Sequence, residues 1–267
     1  GDNLVVGRML GAAALGIYGR AYQFMVMPAG LFGNALDKAL FPAMAKVQGD
    51  KPRLAKAYLT GVRLIALIAI PLSFLIFLLA PEIIRILLGP EWIEVTLPLQ
   101  VLACSLLFRM SYKMSDSLSR ATGAVYRRAW RQVIYAIMVL TGTYIGQFWG
   151  LYGVACGVAV ALIGNFLLMA HLSLKLINIS WLEMVKAHKH GLVFGIMTGA
   201  VSYSVIALCR MNSVPDFMTL IMTGAGTGAT LLFALFYFPG LIISLEVKEL
   251  YETLIKKRFK NLLPKNA

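Results

Sequence analysis

Charge is scarce in this sequence, and acid is scarcer than base. Only 14% of the residues are charged, with 12 Asp and Glu against 25 Lys and Arg. A soluble domain carries about 25%. So few charges cannot clothe a water-facing surface, which excludes an ordinary soluble domain. Cysteine is nearly missing. Cys104, Cys156 and Cys209 stand alone in apolar segments, so a disulfide framework or a cysteine-bound metal is excluded and small buried side chains are expected. His171, His188 and His190 have no metal spacing and fall at or beyond the ends of apolar runs. No Ser-His-Asp set, carboxylate pair or metal cluster stands out, so neither enzyme, metal nor cofactor is expected. An initiating Met and a signal peptide are absent too. The chain opens in mid-flow at GDNLVVGRMLG and reads as a piece of a longer protein.

What is present is apolar. Hydrophobic residues make up 59%, and the mean hydropathy is +0.76. LIALIAIPLSFLIFLLA (64–80) has no charge at all. About 20 such residues cross a bilayer core of roughly 30 Å. Spans are expected at 15–40, 58–80, 95–119, 131–149, 151–174, 190–209 and 217–241, with residues 1–8 as the end of an earlier one. The fold class is therefore all-α, a polytopic membrane helix bundle. Pro28 and Pro71 fall inside spans, where neighbouring helices can satisfy the backbone groups they free.

The loops alternate in charge. Segments 41–58, 120–131 and 175–191 are basic, whereas 81–94, 147–153 and 210–217 are acidic or neutral. Lys and Arg are retained on the cytoplasmic side, so the basic loops and the C-terminus are expected there. This accounts for most of the net charge of +13 and removes the case for nucleic acid. The tail EVKELYETLIKKRFKNLL reads as a basic amphipathic helix on the inner membrane surface, with membrane lipids as its partner. The segment 150–166, rich in small residues, favours close helix contact, and Asn165 within it suits an interhelical hydrogen bond.

Two polar stripes interrupt the apolar spans. On an ideal helix Arg109, Lys113, Asp116 and Arg120 fall within about 60° of one another. Arg20, Gln23, Asn34 and Asp37 do the same within about 60°, and Arg63 lies about a turn into the next span. An intramembrane charge costs about 2.5–3.5 kcal/mol on insertion scales, so such residues face a bundle interior or a wet cavity. Asp116 can neutralise Lys113 or Arg120, and Asp37 a cation on another helix. Cations exceed acids, and Arg109 has no acid within a turn of its own helix. A lone buried cation calls for an anion. The expected anion-binding set is Arg109, Lys113, Arg20, Arg63, Gln23 and Asn34. Asp37 and Asp116 are expected to pair charges or couple an ion.

DNLVVGRMLGAAALGIYGRAYQFMVMPAGLF (2–32), ALFPAMAKVQGD (39–50) and PEIIRILLGPEW (81–92) together resemble polysaccharide exporters of the Wzx type. The likeness is to the WzxC-like subgroup of the multidrug/oligosaccharidyl-lipid/polysaccharide exporter superfamily. The elements that carry it are Asp2, Asn3, Leu4, Gly7, Arg8, Leu10, Gly11, Leu15, Gly16 and Tyr18, with Phe41 and Pro42 after the first full span. The resemblance implies the C-terminal lobe of a two-lobed flippase over 1–174, two additional helices over 175–245, and the basic tail over 246–267. It implies export of an undecaprenyl-diphosphate-linked glycan across a bacterial inner membrane by alternating access. The expected partners are that glycan, the absent N-terminal lobe of the same protein and the polysaccharide polymerase machinery. This piece alone is expected to be inactive. A lipid II flippase would use similar cations. A drug/cation antiporter would line its cavity with acids and aromatics, and a polytopic glycosyltransferase would need a large outer loop; neither pattern is present.

Overall fold

The computed structural model describes residues 2–237, the side chain of Leu235 excepted. The basic tail over 246–267, the end of the last span and the boundary at 245 lie outside the described residues. Among those described, every regular element is helical: α1 (Asp2–Met9), α2 (Gly11–Lys46), α3 (Lys51–Leu87), α4 (Thr96–Cys104), α5 (Leu106–Ala121), α6 (Val125–Gly146), α7 (Gly150–Ile177), α8 (Trp181–Met211) and α9 (Asp216–Tyr237). Tight 3-10 turns at Pro90–Val95 and Gln147–Trp149 join α3 to α4 and α6 to α7.

Local chemistry sets the helix ends. Asp50 caps α3 by accepting the Arg53 N–H at 3.1 Å, with Pro52 in the first turn. Ser180 and Glu183 form a reciprocal capping box at the start of α8. Asn178 ends α7 in the left-handed conformation that Asn tolerates. Between α6 and α7 the chain turns through Gly150 at φ +67°, where a side chain would be strained.

Four segments are long and apolar enough to cross a membrane: Lys51–Leu87, Val125–Ile177, Trp181–Met211 and Asp216–Ala234. Val125–Ile177 folds back on itself at residues 147–150, so it makes two passes. The pair Pro90–Cys104 and Leu106–Ala121 forms a further pass bent by 44°. Helix α2 is also long, at 36 residues, and its polar stripe is what lowers its hydropathy. The passes therefore follow the spans expected from sequence, with one correction. The span over 95–119 is not a single straight helix. The Leu102 carbonyl accepts both the backbone N–H of Ser105, at 3.0 Å, and its hydroxyl, at 2.7 Å, which tightens the turn and breaks the helix there. Cys104, expected to be buried, is exposed at this break, whereas Cys209 is buried.

Neighbours in sequence pack antiparallel. Tyr18 bonds Asp2, Gly61 lies against Leu40, Gln100 donates to the Phe77 carbonyl, and Cys209 meets Met222. The basic loops consequently gather at one end of the bundle and the acidic or neutral ones at the other. Glycine sets the closest approaches. Gly142 and Gly146 of α6 face Gly157 and Gly153 of α7, and a Cβ at any of the four would collide with the opposite backbone. Gly191, Gly195 and Gly199 form a second row on α8, against Ala66, Ile70 and Phe74 of α3. In lipid, helix association depends on such contact and on interhelical hydrogen bonds. Asn165 makes one of the latter, accepting from Gln132 of α6 at 3.1 Å.

The core is continuous from Met25 and Met44 on α2, through Tyr58 and Ile65 on α3, to Met110 and Met114 on α5. Buried polar groups are mostly satisfied inside it. The Tyr58 hydroxyl shares a 2.9 Å hydrogen bond with Ser115.

Candidate functional site

Helices α2 and α5 lie side by side and run in the same direction, which brings the two polar stripes together. Arg109 reaches Tyr22, with Nη1 3.1 Å from the phenol oxygen and the guanidinium 5.2 Å from the ring centroid. The Lys113 Nζ donates to the Asn34 Oδ1 at 2.7 Å. Its stem crosses α2 at Gly33, where a Cβ would come within 3.1 Å. Arg20, exposed toward the other end of α2, bonds Gln23 on its own helix at 3.2 Å. Arg63 is half-buried on α3, and none of these pairs involves it.

The acids lie lower on the same seam. Asp37 accepts from Arg120 at 2.6 Å and from the Ser117 hydroxyl. Asp116 accepts from Arg120 at 3.1 Å and from Arg128 at the start of α6. The pairing of Asp116 with Arg120 follows the helix spacing. The pairing with Lys113 does not form, because Lys113 turns across to Asn34. Arg128 comes from beyond a turn and was not singled out in the sequence. Arg120 also lies 4.8 Å from the ring centroid of Phe41.

The result is a division of labour. Both acids on the seam are taken by Arg120 and Arg128. Among the described residues no carboxylate lies within ion-pair distance of Arg109 or Lys113; their partners are a phenol and an amide. Such neutral acceptors orient a cation without cancelling its charge. The two side chains also diverge. Their backbones are about 6 Å apart along α5, yet their acceptors are about 18 Å apart along α2. Between those acceptors α2 presents Pro28, Ala29, Gly30 and Gly33, a stretch of small side chains. A compact dianion there would draw the two cations toward each other, off their resting partners.

A second charged group was missed in the sequence. At the opposite end of the bundle Glu82 of α3 is 1% exposed. Arg210 of α8 holds it with hydrogen bonds of 2.8 and 3.1 Å, and Arg85 lies 3.7 Å away. Arg85 in turn grips Asp216 of α9 through two bonds of 2.7 Å. The available signal was one acid and one base set just inside the apolar end of a span, at Glu82 and Arg85, with Arg210 and Asp216 placed likewise.

The apolar grooves lie away from both groups. One of about 540 Å³ runs between α6 and α7 along their glycines. Another of about 410 Å³ is lined by Phe74, Phe77, Cys104 and Phe108 beside the α4–α5 break.

This fold and its seam define an all-helical, multi-pass membrane protein, and comparison with known proteins narrows the class. Residues 1–97 match a family described as polysaccharide biosynthesis protein. The amylovoran biosynthesis protein AmsL of Erwinia amylovora is 30% identical over 142 residues, 52% of this chain and 36% of that protein. The lipopolysaccharide biosynthesis protein WzxC of Escherichia coli is 26% identical over 175 residues, 65% of this chain and 36% of that protein. The match thus spans about a third of the length of these relatives. Among solved structures, the lipid II flippase MurJ in its inward closed conformation superposes with a TM-score of 0.68 at 19% identity, covering 86% of this chain and 48% of that one. Over residues 1–97 this chain is similar to that polysaccharide biosynthesis family, and its bundle resembles part of the MurJ fold.

Proposed function

We propose that this chain forms the cation-bearing lobe of a flippase for a polyprenyl-diphosphate-linked glycan. One observation carries the reading: Arg109 and Lys113 sit on a membrane-spanning seam, oriented by neutral acceptors, while the nearby acids are spent on other cations. A diphosphate cannot cross hydrocarbon bare. Charge-assisted contacts to phosphate strengthen away from bulk water, so two unneutralised cations are suited to receive it. The excess of cations argues against a drug/cation antiporter. The polysaccharide relatives favour a glycan precursor over lipid II.

In this reading residues 1–174 form the transport lobe, and α8 and α9 are adjuncts to it. The basic loops face the cytoplasm, which places loading at the basic end of the α2–α5 seam. A facing lobe closes the cavity, and rocking of the two exposes the seam to each side in turn. Arg20, Gln23 and Asn34 support the polar wall, and Arg63 serves the same cavity from α3.

The test is export in a strain lacking its own exporter, using the gene that encodes this chain, with the amount of membrane-inserted protein measured alongside. Arg109→Ala and Lys113→Ala should each reduce export at least tenfold. Arg109→Lys should retain part of the activity, since it keeps the charge and loses the planar fork. Normal export by both Ala variants, at normal amounts in the membrane, would remove the seam from the transport path.

A further inference from the structure

We propose that Tyr112 and Tyr135, with Tyr22, form a phenolic seat beside Arg109 for the first sugar ring of the glycan, the ring bonded to the diphosphate. The proposal rests on the reading of Arg109 and Lys113 as the diphosphate site and deepens it, since it assigns the part of the substrate next to the phosphates.

The seat is built by α2, α5 and α6. Tyr22 of α2 accepts from Arg109 at 3.1 Å and leans on Tyr18, with the two ring centroids 6.0 Å apart. Tyr112 follows Arg109 by three residues on α5, so the two share a face. Tyr135 comes from α6. The bond between Asp116 and Arg128 sets α5 beside α6 across the turn that joins them. Tyr112 lies one turn from Asp116, and Tyr135 two turns from Arg128. Because these helices are antiparallel, both phenols move away from that bond in the same direction, toward the level of Arg109. Arg109 and Tyr22 each act electrostatically on both of them. Arg109 and these three tyrosines are all half-buried, whereas Tyr18 is fully buried. Lys113 turns the other way, across α2 to Asn34 and toward the basic end. The two cations therefore have an amide on one side and a group of phenols on the other.

The hydroxyls are the second observation. Elsewhere in the bundle a tyrosine at depth spends its hydroxyl on the protein: Tyr18 donates to Asp2, and Tyr58 shares a bond with Ser115, both at 2.9 Å. Among the described residues the hydroxyls of Tyr112 and Tyr135 have no hydrogen-bond partner. A hydroxyl taken out of water is costly until it finds one. The partner these two suit is not an ion, because the phenols are neutral. The nearby carboxylates, Asp2 and Asp116, already accept from Tyr18 and from Arg120 and Arg128. An isoprene chain is no better suited, since it carries nothing that bonds a hydroxyl. A pyranose has both surfaces that a phenol can use. Its C–H face lies against an aromatic ring, and its hydroxyls donate to or accept from the phenol oxygen. A sugar joined to a diphosphate held by Arg109 has its first ring beside that cation, where the phenols stand.

The experiment is calorimetry on the purified chain in lipid nanodiscs, with diphosphate monoesters of equal charge. The probes are methyl diphosphate, isopentenyl diphosphate and the 1-diphosphates of glucose, galactose and N-acetylglucosamine; inorganic pyrophosphate reads the cations alone. At least one sugar diphosphate should bind about tenfold more tightly than methyl diphosphate, and isopentenyl diphosphate should show no such gain. Tyr112→Phe and Tyr135→Phe keep the rings and remove the hydroxyls. Each should cut the sugar preference about threefold and leave methyl diphosphate affinity within about twofold. Tyr135→Leu removes the ring as well and should abolish the preference. Arg109→Lys should weaken every diphosphate alike. Equal binding of methyl and sugar diphosphates overturns the seat and leaves the cation reading standing. A sugar preference that survives both Phe variants and the Leu variant overturns the assignment to these residues. A preference for isopentenyl diphosphate that the Phe variants keep and Tyr135→Leu loses gives the rings to the lipid tail and overturns the sugar reading. Binding of no diphosphate at all overturns the seat and the cation reading together.

Discussion

The two charged groups of this bundle sit at opposite ends and differ in how their charges balance. At one end Glu82, Arg85, Arg210 and Asp216 match acid with base, two against two, and join α3, α8 and α9. At the other, Asp37 and Asp116 face Arg120 and Arg128 and leave Arg109 and Lys113 with neutral partners. A balanced group built around one buried carboxylate holds helices in register. On the proposed reading, the unbalanced one is kept for an arriving anion. The same kinds of side chain would then act as fasteners or as receptors according to the arithmetic of their neighbours.

Three substitutions would break or sharpen this contrast. The largest effect is expected from Arg210→Ala, which strips the main partner from a carboxylate that is 1% exposed. Arg210 is itself half exposed and Arg85 stays 3.7 Å from Glu82, so the loss is about 1–2 kcal/mol, and thermal unfolding in detergent should shift downward while pyrophosphate affinity stays the same. A shift in affinity instead would mean that the fastener and the receptor are coupled. Lys113→Met should do the reverse. It keeps an unbranched stem over Gly33 and removes the charge, so unfolding should move little and pyrophosphate affinity should fall about tenfold. Arg20→Ala should have the smallest effect. The side chain is exposed and, among the described residues, bonds Gln23 of its own helix alone, so affinity should fall less than about twofold, and less still in high salt. A loss as large as that at Lys113 would extend the receptor to the far end of α2.

Much of this bundle was legible because lipid enforces it. Runs without charge, such as 64–80, have to be helices, and the alternation of basic and acidic loops follows from their antiparallel order. The small residues at 150–166 announced close packing, and Gly153 and Gly157 deliver it against α6. The α8 row Gly191, Gly195, Gly199 carried the same signal four residues apart and passed unread. The break at Ser105 left no Pro or Gly as a marker; it rests on a serine folding back on its own backbone. The stripes were legible as faces but not as pairs. Helix spacing brought Asp116 to Arg120, yet Lys113 to Asn34 and Asp37 to Arg120 depend on how α2 and α5 meet. Glu82 and Arg210 are 128 residues apart, and no local pattern joins them.

Helices α2 and α3 have 36 and 37 residues, which makes each about 54 Å long, against a hydrocarbon core of roughly 30 Å. Part of the surplus falls at the polar turn that joins them, at 43–57, beyond the basic end. Asn34 and Asp37 then lie just inside that end of the span, close to the lipid head groups. Membrane thickness becomes a setting of the protein. A thicker bilayer would draw the lower seam into hydrocarbon and strengthen its ionic bonds, and a thinner one would leave it in water and loosen them.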